Sequence, residues 1–218
     1  MLNIRPDSAN NTFRARRFRL LKTAIEKVVS QKGECRILDI GGTSSYWETF
    51  GGTLEWDRVK VYLLNLTAST TSHPRLEVLI GDARKVSDFV DNSFDIVFSN
   101  SVIEHVGRWT DMVLMAREVR RLAPVYFVQT PYFWFPIEPH AVFPFLHWMP
   151  ESWRYRIVMK RACGDWGKQS NVGAATERIQ GASLLDKQQM QYLFPDAMIL
   201  SESLLGLTKS LTAVRYAR

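Results

Sequence analysis

Short apolar segments that run into polar residues or glycine recur along the first 130 positions of this chain. They are CRILDI (35–40), VKVYLLN (59–65), LEVLIGD (76–82), FDIVFSN (94–100) and VYFVQT (125–130). Apolar runs of this length, bounded by turn-forming residues, are typical of strands buried on both faces of a parallel sheet. Two later segments, MILSESLL (198–205) and TKSLTAVRY (208–216), predict a closing pair of strands joined near Gly206. The chain is therefore predicted to fold around one mostly parallel sheet.

Helix-forming sequence lies between these strands. Residues 108–123 carry one apolar stripe at helical spacing, with charged residues on the other side. A second helix is predicted from Ser183 to about Phe194, because Ser183 and Asp186 have the spacing of a capping box. Strands that alternate with helices predict an α/β fold with a mostly parallel sheet.

Basic residues crowd into the first predicted helix, which belongs to an N-terminal helical segment at 1–33. They are Arg14, Arg16, Arg17, Arg19 and Lys22. Because apolar residues interleave with them at helical spacing, we interpret the segment as an amphipathic helix with a solvated basic face. A helix that faces an anion or a membrane is the alternative.

The composition bounds the class of protein. The chain has 218 residues, of which 46% are hydrophobic, and this suits a single domain over 1–218. Its net charge of +6 is compatible with nucleic acid, anionic membranes or acidic substrates as partners. Cys35 and Cys163 are far apart and outside any C-x-x-C motif, which favours a reducing compartment. No secretory signal or transmembrane helix is expected from the apolar pattern, so the expected location is the cytoplasm.

Polar residues follow four consecutive strands at their carboxyl ends. In an open parallel sheet these ends meet at one edge, where ligands bind. The residues are Asp39, Gly41, Gly42, Thr43 and Ser45 after the first strand, Asn65 after the second, Asp82 after the third, and Asn100, Ser101, Glu104 and His105 after the fourth. We expect the four sets to line one crevice.

The glycine turn after the first strand indicates the kind of cofactor. A dinucleotide fingerprint, G-x-G-x-x-G, requires glycine at the positions of Thr43 and Tyr46. The carboxylate of Asp39 would also repel a pyrophosphate, so an NAD-type dehydrogenase is disfavoured. A carboxylate at this point suits S-adenosylmethionine, which has a cationic amino-acid end and no phosphate.

Each strand end offers that cofactor a different contact. Gly41 and Gly42 would let the backbone approach the ligand closely, because glycine has no Cβ. The side chain of Asn65 can donate to and accept from ribose hydroxyls, and the carboxylate of Asp82 can accept from the adenine amino group.

The order of these motifs resembles the class I S-adenosylmethionine-dependent methyltransferases, in particular the type 11 group. The resemblance rests on DIGGT (39–43), GDA (81–83) and above all SFDIVFSNSVIEHV (93–106), and it covers roughly residues 35–216. It implies a Rossmann-like sheet of seven strands, flanked by helices, with the last strand antiparallel. It also implies cofactor contacts from Asp39, Gly41, Gly42, Thr43, Trp47, Asn65, Leu66, Asp82, Ala83, Asn100, Ser101 and Glu104. Thr43 and Ser45 stand where the family has glycines, and we expect binding to survive because these small hydroxyl residues can still turn toward the ligand. Asn65 stands where the family has an acid, which weakens the ribose contact by one charge and leaves its geometry possible.

A proline-rich and aromatic stretch, TPYFWFPIEPHAVFPFLHWMP (130–150), opens an insertion expected over 130–182. Its prolines exclude a regular helix or central strand, and long apolar loops are usually covers or binding surfaces. We interpret the insertion as the acceptor side of the site, with Tyr132, Phe133 and Trp134 as substrate-binding residues. A hydrophobic plug that completes the core is the alternative.

His140, Glu138 and His105 are the candidate catalytic residues, because a base is required if the acceptor must lose a proton. Two alternatives stay open. Glu138 and His140 can form a salt-linked pair that shapes the loop, and His105 can contact the cofactor or the backbone. No group of His, Cys, Asp or Glu has the sequence spacing of metal ligands, so no metal is expected.

The sequence leaves the acceptor open. The aromatic insertion fits a small molecule or a lipid-, polyketide-, quinone- or sugar-linked acceptor, and four of its rings (Trp134, Phe143, Phe145, Trp148) would suit a peripheral membrane contact. Nucleic acid is disfavoured, because SNSV stands where base-amino methyltransferases carry Asn/Asp-Pro-Pro-aromatic. A nucleic-acid methyltransferase and a family member that binds cofactor without catalysis remain the alternatives.

Overall fold

The computed structural model describes residues 9–216, with side chains from residue 12 onward, so residues 1–8 of the expected N-terminal helical segment lie outside the described residues. Its helices are α1 (Ala9–Lys32), α2 (Ser44–Phe50), α3 (Trp109–Leu122), α4 (Glu151–Lys160), α5 (Val172–Gln180) and α6 (Lys187–Leu193). Its strands are β1 (Cys35–Ile40), β2 (Val59–Asn65), β3 (Leu76–Ile80), β4 (Ile96–Asn100), β5 (Val125–Pro131), β6 (Ile137–Glu138), β7 (Phe143–Pro144), β8 (Met198–Leu204) and β9 (Leu207–Arg215).

Seven of these strands form one sheet in the order β3-β2-β1-β4-β5-β9-β8. The first five are parallel to their neighbours, while β9 runs antiparallel to both β5 and β8. The predicted seven-stranded, mostly parallel sheet with an antiparallel last strand is therefore confirmed. The chain order reverses between β1 and β4, and this switch point opens a crevice at the carboxyl ends of these strands.

Helices cover both faces of the sheet because successive strand residues point to opposite sides. On one face, Leu38 of β1 belongs to a buried cluster that includes residues of α3 and α6. On the other face, Ile37 belongs to a cluster with the apolar side of α1 and with Tyr46 and Trp47 of α2. The strands are apolar on both faces because each face of the sheet packs against its own hydrophobic core.

The basic face of α1 differs from the expectation of a fully solvated surface. Arg16 and Arg19 are exposed, but Arg14 and Arg17 are half-buried. The guanidinium of Arg17 forms an ion pair of 2.7 Å with Glu202 of β8. This half of the basic face turns toward the sheet because the closing strands β8 and β9 supply a carboxylate there.

The predicted start of the helix near Ser183 is wrong. α6 begins at Lys187, and the carboxylate of Asp186 accepts from the backbone N–H of Gln189 at 2.8 Å while the Gln189 side chain accepts from the Asp186 N–H. The backbone N–H of Ser183 donates instead to the carbonyl of Glu104. Ser183, which the local spacing predicted as the helix cap, therefore makes a tertiary contact with Glu104 instead.

The insertion after β5 contains regular elements with a core of their own. β6 and β7 pair as a two-stranded ribbon, and α4 packs against α5. A buried cluster holds them together: Ala141, Leu146, Val158, Cys163, Trp166, Ala175 and Ile179. Because its members come from all parts of the insertion, this cluster gives the segment a defined shape beside the crevice.

Among residues 9–216, no helix combines the length and the apolar character needed to cross a membrane.

Candidate cofactor crevice and acceptor side

The turn after β1 requires glycine at two positions, once for its backbone conformation and once because there is no room for a side chain. Gly41 has a φ of +72°, a left-handed conformation that L side chains rarely adopt, and its N–H donates to the Leu64 carbonyl of β2 at 2.8 Å. A Cβ at Gly42 would collide with the carboxylate of Asp39. The amide of Asn65 donates to the Gly42 carbonyl at 2.9 Å, which fixes the turn against the end of β2.

Asp39 lies beneath this turn. Its side chain is buried, and its Oδ2 accepts from the indole Nε1 of Trp47 at 2.7 Å. Burial raises the pKa of Asp39 to about 8, although the hydrogen bond from Trp47 acts in the opposite direction. Trp47, expected among the cofactor contacts, is fully buried against Phe18 and Phe98. Its ring therefore supports the turn from the core side instead of reaching into the crevice.

After β2 and β3, one side chain is exposed to solvent and another is already hydrogen-bonded within the protein. Leu66 has 72% of its surface exposed, so its side chain is available to a ligand, whereas Ala83 is buried. Asp82 is engaged by Arg84, whose guanidinium donates to both carboxylate oxygens at 2.6 to 3.0 Å. Hydrogen bonding from Arg84 lowers the pKa of Asp82 and keeps its carboxylate ionised.

The end of β4 carries an unusual backbone and an orphaned acceptor. Ser101 has a φ of +58°, rare for a residue with a Cβ, and its hydroxyl donates to Oε1 of Gln129 at 2.9 Å. The Oδ1 of Asn100 is buried without a partner among the described residues. Backbone strain and unsatisfied polar atoms cluster at functional sites, so this strand end is set up to meet a ligand.

A chain of hydrogen bonds, the histidine network, runs along the insertion side of the crevice. Nδ1 of His140 bonds Oε1 of Glu138 at 2.7 Å, and Nε2 of His140 lies 3.1 Å from Nε2 of His105. Nδ1 of His105 in turn lies 2.7 Å from the Gly181 carbonyl. The second Glu138 oxygen accepts from the Ala141 N–H in a short hydrogen bond. The three candidate catalytic residues are therefore joined in one network.

The charges of this network are set by burial and by its internal partners. Burial alone would lower the pKa of His140, but the hydrogen bond and charge of Glu138 raise it. Desolvation by the surrounding protein lowers the pKa of His105, although the residue remains partly accessible to solvent. Glu104 lies beside the network, and burial raises the pKa of its carboxyl to about 7.

Comparison with known proteins agrees with this geometry. A family model described as "Methyltransferase domain" matches residues 45–124. None of the curated proteins matches the sequence. Among solved structures, a CurJ carbon methyltransferase superposes with a TM-score of 0.61 at 13% identity, over 96% of this chain and 56% of that one. An N-methyltransferase, NodS from Bradyrhizobium japonicum WM9 bound to S-adenosyl-L-homocysteine, superposes with a TM-score of 0.55 at 12% identity, over 97% of this chain and 90% of that one.

Residues 45–124 thus match a methyltransferase domain, and the chain as a whole shares the fold of these two methyltransferases. It spans just over half the length of the CurJ structure. The predicted fold class is confirmed, and the family model and the superpositions support the predicted family and cofactor. The residues present fit the cofactor at the end of β4, where the Oδ1 of Asn100 is a buried acceptor without a partner among the described residues. The turn after β1 and the end of β4 would hold S-adenosylmethionine.

A cavity of about 390 Å³ opens beside the end of β4, and we name it the Arg14 cavity. Its lining combines the strand ends with α1, the insertion and the closing strands. The lining residues are Arg14, Arg17, Asn100, Ser101, Gln129, Pro131, Tyr132, Phe135, Ile137, Pro139, Val142, Leu204, Lys209 and Ser210. Of the three expected substrate-binding residues, Tyr132 lines this cavity. Phe133 lines a separate cavity next to Glu138, and Trp134 is 57% exposed at the surface.

Several residues of the methyltransferase site were not anticipated from the sequence. Gln129 accepts a hydrogen bond from the Ser101 hydroxyl, and Thr130 donates to Glu104 at 3.1 Å. Arg84 donates to the carboxylate of Asp82. Gln129 and Thr130 sit at the carboxyl end of β5, the next strand along the sheet. Extending the rule of polar strand ends to the fifth strand would have found both residues.

Proposed function

We propose that the domain transfers the methyl group of S-adenosylmethionine to an acidic, largely apolar acceptor that binds in the Arg14 cavity. The observation that carries the proposal is the shared lining of that cavity. Asn100 and Ser101, which belong to the expected cofactor contacts, line it together with Arg14 and Lys209. An acceptor in this cavity would lie directly against the cofactor crevice.

The charge of the lining supports an anionic group on the acceptor. The lining residues that the structure describes include three basic side chains and no carboxylate. Arg17 forms an ion pair with Glu202, whose charge also acts on Lys209. Arginine and lysine on a partly desolvated wall recognise carboxylates and phosphates. The net positive charge of the chain is consistent with this preference.

The rest of the lining supports an apolar body. Phe135, Ile137, Val142 and Leu204 form hydrophobic walls, and prolines border them. A volume of about 390 Å³ falls in the range of small-molecule sites, which are mostly apolar with a few oriented polar groups. A lipid-like or ring-shaped acid therefore fits the cavity better than a highly polar molecule.

Chemically, the protein must align the acceptor and exclude water. S-adenosylmethionine supplies an electrophilic methyl group, which passes to a nucleophilic atom of the acceptor as its bond to sulfur breaks and the acceptor releases a proton. The aromatic insertion covers this side of the crevice and limits the access of water. Pro139 lines the cavity and stands between Glu138 and His140 in the chain, whereas Glu138 itself lines the separate cavity with Phe133.

The test is transfer of label from S-adenosylmethionine to the fractions of a cell extract. Label is expected in an acidic, organic-soluble fraction that binds to an anion exchanger. The Gly42→Ala variant serves as the control, because a Cβ there displaces Asp39 and the turn. Label in neutral molecules would contradict the acidic acceptor, and label in nucleic acid would support the alternative class of methyltransferase. An absence of transfer to any fraction would favour a domain that binds cofactor without catalysis.

Peripheral membrane contact and a cytoplasmic location stay predictions. Trp134, Phe145 and Trp148 form one exposed aromatic cluster, with ring centroids 5.1 to 5.9 Å apart around Trp148. Such a cluster suits the interface of a membrane. It would bring the insertion, and with it the Arg14 cavity, close to a lipid-like acceptor.

A further inference from the structure

We propose that Glu104, His105 and His140 form a binding site for a divalent metal ion of the zinc class. Sequence spacing gave no indication of this site, because His140 lies 35 positions after His105. In the folded chain, one ligand atom from each of the three residues lies within 4.8 Å of the other two. Two imidazoles and a carboxylate are a common donor set for zinc sites that keep an open position.

The hydrogen bonds of the two rings fix the tautomers of His105 and His140, and these tautomers favour a cation between the rings. A carbonyl oxygen only accepts, so Nδ1 of His105 must carry the proton that it shares with Gly181. Nδ1 of His140 likewise donates to the carboxylate of Glu138. In two neutral imidazoles, both Nε2 atoms then present lone pairs to each other at a distance of 3.1 Å. Facing lone pairs repel, so a cation or a shared proton must lie between them.

The separation of the two nitrogens fits a shared metal ion. Ligand nitrogens lie about 2.0 to 2.1 Å from zinc, and ligand angles of about 90° to 109° then place two such nitrogens about 2.9 to 3.4 Å apart. The observed 3.1 Å falls within this interval.

The third ligand is a buried carboxylate that lacks a partner for one oxygen. Glu104 is 1% exposed, and Thr130 donates to its Oε2, while Oε1 has no hydrogen-bond partner in the described structure. Burying a carboxylate is costly unless it is paired or coordinates a metal. This orphaned oxygen is a second observation, independent of the histidines, that indicates a cation beside Glu104.

The hydrogen-bond acceptors behind the two histidines also match those of known metal sites. Metal-binding histidines usually donate their other N–H to a carboxylate or a backbone carbonyl, which fixes the tautomer and orients the ring. Glu138 does this for His140 and the Gly181 carbonyl does it for His105. Glu138 is itself held by the Ala141 N–H. Glu138 is thereby assigned as a positioning residue behind a ligand.

The site also has a use in the reaction, and this part alone rests on the proposed function. A metal ion with an open position would bind an oxygen of the acceptor and lower the pKa of a bound hydroxyl. The hydroxyl would lose its proton to solvent and present an oxygen nucleophile to the methyl group. The acceptor would then be methylated on oxygen.

Metal binding can be measured without any acceptor. The full chain is stripped with a chelator and titrated with Zn²⁺ against a chromophoric indicator, and Co²⁺ is added separately to record its visible absorption. One equivalent is expected to bind, with Co²⁺ bands of a four- or five-coordinate site. His140→Ala and Glu104→Gln are expected to weaken Zn²⁺ at least about 100-fold, and Glu138→Gln about 10- to 100-fold.

The matched control is His73→Ala, which removes a histidine that packs against Trp56 on another part of the fold. It is expected to leave zinc affinity unchanged. Wild-type binding no tighter than that of His140→Ala would overturn the proposal and leave a shared proton between the rings. If circular dichroism shows that His140→Ala is unfolded, Glu138→Gln decides, and unchanged affinity in that variant contradicts the site. Zinc binding without methyl transfer would count against the proposed function only, and transfer without zinc binding would count against the metal site only.

Discussion

The indole Nε1 of Trp47 donates to Oδ2 of Asp39 at 2.7 Å, with both side chains buried beneath the glycine turn. This pair links α2 to the end of β1 at the point where the cofactor crevice opens. Asp39, which the sequence predicts as a cofactor contact, thus also stabilises the fold through this hydrogen bond. The two roles can be separated by experiment.

Replacing Asp39 by alanine is expected to lower the free energy of unfolding by about 1 to 3 kcal/mol, because it leaves the buried Trp47 N–H without an acceptor. Asp39→Asn keeps an acceptor oxygen and should be closer to the wild type. Urea denaturation of the three proteins measures the difference. Equal losses in both variants would show that the hydrogen bond to Trp47 contributes nothing.

The stability of the wild type is expected to fall relative to Asp39→Asn as the pH rises from about 4 to 8. Burial raises the pKa of Asp39 from 3.8 to about 8, so between these values the folded state binds more protons than the unfolded state. Stability then decreases with rising pH, by at most about 1.4 kcal/mol per pH unit. Denaturation of the cofactor-free proteins at several pH values gives the two curves, and parallel curves would refute the shift.

Gly42→Ala is expected to weaken the binding of S-adenosyl-L-homocysteine at least about tenfold, since a Cβ at this position collides with the buried carboxylate of Asp39 and displaces the turn. Gly52→Ala is the matched control, because no atom lies within 4 Å of the Cβ it would add. Titration calorimetry measures both affinities. Binding of wild-type strength in Gly42→Ala would place the cofactor elsewhere.

S-adenosyl-L-homocysteine is expected to raise the melting temperature, and NAD is expected to leave it unchanged. At 100 times its Kd, a ligand that binds only the folded state stabilises it by about 2.7 kcal/mol. For a domain of this size, that corresponds to about 5 to 10 °C. A shift with NAD alone would contradict the assignment of the cofactor.

Arg14→Gln is expected to weaken the binding of an apolar anion about tenfold, because Arg14 lines the Arg14 cavity and an ionic hydrogen bond to a partly buried anion contributes about 1.5 kcal/mol. The fluorescent probe 8-anilinonaphthalene-1-sulfonate reports this affinity. Arg16→Gln, which removes an exposed charge from the same helix, should change it little. If the two variants weaken the probe equally, general charge attraction explains the binding and the cavity is not selective for acids.

The sequence by itself determined the sheet and the position of the crevice. Strand periodicity and glycine turns are local signals, and the carboxyl ends of parallel strands must meet at one edge whatever the helices do. Asp39, Asn65 and Asn100 therefore stand at or near the carboxyl ends of β1, β2 and β4, as predicted, while their contacts to the cofactor stay predictions. The helix start at Ser183 failed because a local spacing was outweighed by a backbone hydrogen bond to Glu104, far away in the chain.

Tertiary structure decided which side chains face the crevice and which groups meet. Trp47 follows the glycine turn in sequence, but only packing of α2 against α1 and the sheet shows that its ring is enclosed. The meeting of His105 with His140 depends on the fold of the insertion over the end of β4, a long-range contact that no sequence spacing encodes. The same holds for the Arg14 cavity, whose basic residues come from α1 and β9 and whose apolar residues come from the insertion and β8. Local patterns fix elements and their ends, whereas contacts between distant segments depend on how buried surfaces pack, and these contacts built the acceptor side.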